Sequence, residues 1–191
     1  LLSMMLLAVA GLPGMFTLQS ASSAADSLFV NSDIRLIHLK DSVYVHETWH
    51  HLDEFGRFPS NGFIIVKNGK SVMIDTPFDN EKTQILAEFC RDSLHAPVTR
   101  LIAGHFHDDC IGGLEYLQGI GVRCIANTRT IEKCIQLGLP VPDISFTDSL
   151  VLDFNGMLLD CRYFGGGHSF DNIIVWLPDQ KILFGGCLIR S

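Results

Sequence analysis

Positive charge is scarce in this chain. Fourteen lysines and arginines face 21 aspartates and glutamates, giving a net charge of −7, and no basic cluster stands out. That balance argues against a nucleic-acid or anionic-membrane partner. The six cysteines never form a C-x-x-C pair, so a zinc ribbon or thioredoxin-type motif has no support. Their scatter through apolar runs marks Cys90, Cys124, Cys134 and Cys161 as packing thiols. No short internal repeat is present. The apolar run at the N-terminus is too short for a membrane span and is interrupted by Pro13 and Gly14.

What is there fits one globular domain. The 191 residues suffice for a substantial core, and 47% hydrophobic against 18% charged residues excludes disorder. Residues 1–25 pair an apolar stretch with the small-residue run Ser20–Ala25, the pattern of a secretory leader without its charged start. The expectation is a signal peptide over 1–25 and one domain over 26–191, with export to the periplasm. The chain stops just after a strand, so the domain is expected to be truncated at its C-terminus.

Along the chain, Ile34–Lys40 and Val43–Val45 read as a hairpin. Residues 47–59 mix aromatics, charges and glycine without a period. They read as a mobile loop, with either an exposed aromatic tip at Phe55 or aromatics tucked into the core. His50 and His51 are adjacent and point apart, so they are left out of any metal site. Residues 61–67 and 71–76 form a hairpin about Asn68-Gly69, a type I′ turn pair. A helix is expected over 81–94, capped by Asp79 or Asn80. Strand 99–103, a glycine-broken helix over 111 to about 118, strand 122–126 and helix 130–137 follow. Strands are then expected at 150–154, 157–164, 173–177 and 182–184. The fold class is α/β.

Gly104-His105-Phe106-His107-Asp108-Asp109-Cys110 carries the chemistry. In extended backbone, residues i and i+2 point the same way, which would bring His105, His107 and Asp109 to one point. Imidazole nitrogen and carboxylate oxygen suit zinc. His168 follows three glycines and Cys187 follows two, each expected at an apolar strand end. Three histidines that leave one position open make a catalytic zinc pattern, whereas a structural site would be closed by four protein ligands. Asp109 and Cys187 would begin a second site.

These motifs resemble the class B metallo-beta-lactamases, in particular the subclass with a three-histidine zinc and an Asp-Cys-His zinc. The resemblance runs through Pro59-Ser60-Asn61-Gly62, Asp75-Thr76-Pro77, Asp171–Pro178 and Leu183-Phe184-Gly185-Gly186-Cys187, and covers about residues 32–191. The stretches 92–96 and 109–114 look closest to Bacteroides-type enzymes. The resemblance implies a four-layer αβ/βα sandwich and a monomer without a stable membrane anchor. It also implies zinc-dependent opening of the β-lactam ring of penicillins, cephalosporins and carbapenems, which confers antibiotic resistance. His105, His107 and His168 would hold one zinc. Asp109, which also orients the nucleophile, and Cys187 would hold a second, whose third ligand lies beyond Ser191. Arg190 stands where the family has a lysine for the substrate carboxylate, and Phe55 would fold over the substrate. Thiolesterase and nuclease relatives usually have histidine at the Cys110 position and a bridging aspartate at the Cys187 position. Thiolesterase or lactonase activity and a non-catalytic zinc-binding domain are the alternatives.

Overall fold

The structure, a computed structural model, describes residues 26–54 and 56–189. The expected signal peptide, 1–25, lies outside the described residues, as do Phe55, Arg190 and Ser191.

Among the described residues, twelve strands form two sheets. The first contains β1 (Ser27–Phe29), β2 (Ile34–Lys40), β3 (Val43–Leu52), β4 (Gly56–Lys67), β5 (Lys70–Ile74), β6 (Val98–Ile102), β7 (Arg123–Asn127) and β8 (Ile144–Phe146), in that spatial order. Pairing is antiparallel from β1 to β5 and parallel from β5 to β8. Helices make the crossovers that parallel pairing requires. They are α1 (Asn80–Asp92), α2 (Asp108–Ile111), α3 (Leu114–Gly119) and α4 (Thr128–Leu137). The second sheet is antiparallel, with β9 (Ser149–Phe154), β10 (Met157–Arg162), β11 (Ile174–Leu177) and β12 (Ile182–Phe184) in the order β12-β11-β10-β9.

Neighbouring residues of one strand serve two different cores. Ile64 and Met73 face Leu86 and Cys90 of α1 and Leu114 and Leu117 of α3. Ile65, Val72 and Ile74 face Leu159, Val175, Leu177 and Phe184 of the second sheet. With both faces covered, β4 and β5 read as unbroken apolar runs rather than alternating ones. The Asn68-Gly69 turn has both residues at positive φ (51° and 68°), as a type I′ turn demands. Asp79 caps α1 by accepting from the Lys82 N–H at 2.7 Å. Cys90, Cys124, Cys134 and Cys161 are free and buried.

One expectation needs correction. Residues 47–52 and 56–59 pair as a hairpin, with β3 and β4 in register from Val43↔Ile65 to Leu52↔Gly56. The aperiodic sequence hid an alternation in which the inward residues are polar: His46, Thr48 and His50 are buried. The glycine-broken helix expected over 111–118 is the pair α2 and α3, parted where Gly112 and Gly113 press against α1 and the loop before it. A side chain at Gly112 would meet the Phe78 carbonyl, and one at Gly113 would meet Thr83. The described residues build the first half of the expected αβ/βα sandwich and part of the second. The packed helices lie on the first sheet, and the outer face of the second leaves Val151, Leu158 and Leu183 exposed.

Candidate metal centre

Strand β5 runs into Asp75, which adopts a left-handed φ of 60°. A non-glycine residue there is strained, and such strain concentrates at functional sites. Its buried carboxylate accepts the N–H of Gly104 at the end of the neighbouring strand. Any side chain at 104 would meet that carboxylate, so glycine permits the close approach. Burial pushes the Asp75 carboxyl up to about 7; Asp109 adds to the rise and the Gly104 N–H opposes it.

Beyond β6 the chain bends through His105 and Phe106. His107 then caps α2 in extended conformation (φ −76°, ψ 163°), its carbonyl accepting from the Cys110 and Ile111 N–H groups at 2.9 and 3.0 Å. Asp109 therefore enters the site from the first turn of a helix, not by alternation along an extended segment. His168 sits in the irregular stretch between β10 and β11, past the glycines, and Cys187 in a 3₁₀ turn, Gly186–Leu188, after β12. Neither belongs to a strand end proper.

Five side chains nonetheless converge. His105 Nε2 lies 2.9 Å from His107 Nδ1, and His168 Nε2 lies 3.2 Å from that same atom. His105 Nε2 is 3.7 Å from Asp109 Oδ1, and Cys187 Sγ is 3.1 Å from Asp109 Oδ2. Two overlapping sets, His105 with His107 and Asp109, and His105 with His168 and Cys187, each bring three potential ligand atoms within 4.8 Å of one another.

A neutral imidazole has one N–H and one lone pair, so three ring nitrogens aimed at one another are poor mutual hydrogen-bond partners. They do suit a cation. A Zn–N bond of about 2.0 Å in tetrahedral geometry separates ligand nitrogens by about 3.3 Å. Nitrogen, carboxylate and sulfur together form a zinc-type donor set. Burial holds His105 below the ordinary histidine range, leaving it neutral and able to ligate. Its other nitrogen, Nδ1, is 3.0 Å from Cys110 Sγ, which orients the ring. Burial also raises the Cys110 thiol well above the usual value, so it stays protonated. Asp75 and Cys110 thus support the candidate ligands without joining them. The sequence signal for Asp75 was a carboxylate at the end of a buried strand.

A cavity of about 630 Å³ opens beside the cluster, lined by Phe58, Asn61, Phe63, Asp75, Asp109 and Cys187 among others. His50 and His51 lie apart from the donor set, as expected. His50 is buried between Thr48 Oγ1 and Ser60 Oγ, each 3.0 Å from its Nε2, while His51 is exposed. Phe55 and Arg190 are outside the described residues.

Comparison with known proteins agrees with this architecture. The chain is 46% identical over 171 residues to the metallo-beta-lactamase type 2 of Bacteroides fragilis, covering 90% of this chain and 69% of that one. It is 33% identical over 163 residues to the Bacillus cereus protein of the same description, covering 83% of this chain and 61% of the relative. A metallo-beta-lactamase structure from Pontibacter korlensis superposes with a TM-score of 0.78 at 32% identity, over 83% of this chain and 73% of its own. One from Pseudomonas aeruginosa, solved in a mono-zinc form, gives 0.77 at 31% identity, over 84% and 72%. The sequence profile of the metallo-beta-lactamase superfamily matches residues 55–191. Two facing sheets, a loop-borne histidine cluster at their edge and these likenesses meet in one assignment: the chain belongs to the metallo-beta-lactamase superfamily.

Proposed function

We propose that this chain carries the centre of a zinc-dependent hydrolase that opens the β-lactam ring of penicillins, cephalosporins and carbapenems and so confers resistance to them. The observation that carries the reading is the meeting of three imidazole nitrogens, 2.9 and 3.2 Å apart, with an aspartate–cysteine pair 3.1 Å apart beside them. His105, His107 and His168 are assigned to one zinc, and Asp109 and Cys187 to a second. Zinc held there supplies Lewis acidity, which activates water at neutral pH and polarises a carbonyl.

The protein's own groups do the positioning. Burial keeps His105 neutral, and Cys110 fixes its orientation. Asp109, reaching both His105 and Cys187, orients the attacking nucleophile on the lactam carbonyl. The neighbouring cavity receives the bicyclic nucleus, its apolar walls excluding bulk water. Arg190 is assigned to the substrate carboxylate, which a guanidinium can grip through two parallel hydrogen bonds. Phe55, which stands between Glu54 and Gly56 in the sequence, is assigned to covering the bound substrate. The leader-like sequence over 1–25 supports a periplasmic location. The protein is read as a monomer without a stable membrane anchor.

The test is hydrolysis of a chromogenic cephalosporin by zinc-loaded protein before and after chelation. Chelator is expected to abolish turnover and added zinc to restore it. Turnover indifferent to chelator would remove the metal from the mechanism.

A further inference from the structure

His168 is an exposed member of the donor cluster, so packing does not hold its imidazole in place. The chain just before it is Gly165-Gly166-Gly167, with Gly165 at φ 105°. Backbone of that composition swings at little steric cost. Restraint has to come from the other side, where Asp171, Asn172 and Ile173 are buried.

A buried carboxylate is costly unless it is hydrogen-bonded. Both oxygens of Asp171 accept from hydroxyls: Oδ1 from Ser169 Oγ at 2.6 Å and Oδ2 from Thr130 Oγ1 at 2.8 Å. Ser169 adjoins His168, and Thr130 is a buried residue in the first turn of α4. That turn is a fixed point. Asn127 caps it by accepting from the Arg129 N–H at 3.0 Å and donates to the Thr147 carbonyl at 2.7 Å. The Thr128 hydroxyl donates to the Phe146 carbonyl at 3.1 Å. The same turn grips the His168 segment again: the Arg129 guanidinium lies 4.3 Å over the Tyr163 ring, and the Tyr163 hydroxyl donates to the Phe170 carbonyl at 2.9 Å. At the far end of the segment, the Ile173 N–H donates to the Gly104 carbonyl at 3.0 Å, next to His105. Residues 168–173 are thus clamped between α4 and the loop that carries His105 and His107.

We propose that Asp171 is a positioning residue of the metal centre: bridging Thr130 and Ser169, it seats His168 where the imidazole meets His105 and His107. The assignment rests on the reading of that cluster as a zinc site. Without the bridge, the glycines let His168 drift into solvent, and a metal ion would have to order it on binding. With the bridge, that ordering is done by the fold, and His168 Nε2 already stands 3.2 Å from His107 Nδ1.

Zinc competition titrations on the full chain test this. Asp171→Ala should weaken zinc binding about 10–100-fold, the scale of losing an outer-sphere partner, and Thr130→Val, which removes one arm of the bridge, should weaken it in the same direction. Asp171→Asn should bind nearly as tightly as the unaltered protein, because its amide can still join both hydroxyls. In a His168→Ala background, Asp171→Ala should make no further difference, since the residue acts through His168. Equal losses in the two backgrounds would reduce Asp171 to general support of the fold and overturn the assignment. A second readout needs no metal. The rings of His107 and His168 lie 5.1 Å apart, so metal-free protein should show a nuclear Overhauser effect between them that weakens in Asp171→Ala and Thr130→Val. An undiminished effect in both variants would also overturn the assignment. If Asp171→Ala does not fold, Thr130→Val, nearly the same in shape, carries each comparison. If the unaltered protein takes up no zinc, the zinc-site reading fails, and the ring-to-ring measurement still decides whether Asp171 places His168.

Discussion

His46 and His50 on β3, and His105, His107 and His168 on the loops beyond β6 and β10, are the same residue type in two different settings. His46 Nε2 donates to the Asp75 carbonyl at 3.0 Å, and His50 sits between the hydroxyls of Thr48 and Ser60 with its ring against Phe58 and Phe78. Burial pushes both down to about 4, so both are neutral packing residues. In the second group the nearest polar neighbours of the imidazoles are other imidazoles, a carboxylate and a thiol. Burial alone therefore does not mark a metal site. What marks it is the convergence of several imidazole nitrogens with a carboxylate and a thiol, a donor-atom set suited to a shared cation.

The comparison breaks most visibly on deletion. His105→Ala should cost hydrolysis more than the 10–100-fold typical of losing an outer-sphere partner, because it removes a ligating atom. His50→Gln should leave zinc content unchanged by metal analysis. Equal losses of zinc in the two variants would erase the distinction.

Next in size is a pH effect on the first group. His46 titrates near 4 when folded and near 6.5 when unfolded. Its contribution is complete above about pH 6.5 and is lost as pH falls toward 4, because the unfolded chain takes up the proton first. The loss amounts to about 3 kcal/mol. Asp75, raised to about 7, works in the opposite sense, so the fair comparison is with His46→Gln. Urea unfolding of metal-free protein should show a flatter decline between pH 6.5 and 4 in that variant; parallel curves would refute the assignment.

A third change concerns space. An added methyl at Gly62 would run into the His46 ring and the Ile74 carbonyl. Gly62→Ala should therefore destabilise by about 2 kcal/mol, read as a lower unfolding midpoint. The smallest effect belongs to Cys110→Ala, which takes away the partner of His105 Nδ1. Zinc affinity should fall about tenfold in a competition titration, with the fold unchanged by circular dichroism.

Much of this was legible in the residues. The type I′ turn at Asn68-Gly69, the Asp79 cap and the buried runs of β4 and β5 follow from local chemistry. The His-x-His-x-Asp stretch marked candidate ligands from donor type, and the fold brings those side chains together. What escaped were features settled by tertiary contact. β3 and β4 extend through 47–52 and 56–59 because strand pairing satisfies their backbone and hydroxyls satisfy their buried histidines, neither visible as a hydrophobic period. The entry of Asp109 from a helix depends on His107 acting as its cap. In the sequence Cys110 only marked the position where thiolesterase relatives have histidine, and the fold alone places its sulfur against His105.

Equilibrium dialysis against zinc tests the central claim most directly, comparing the unaltered protein with His168→Ala and His50→Ala. Tight zinc binding should persist in His50→Ala and fall sharply in His168→Ala. Retention of zinc by His168→Ala together with its loss from His50→Ala would contradict the account.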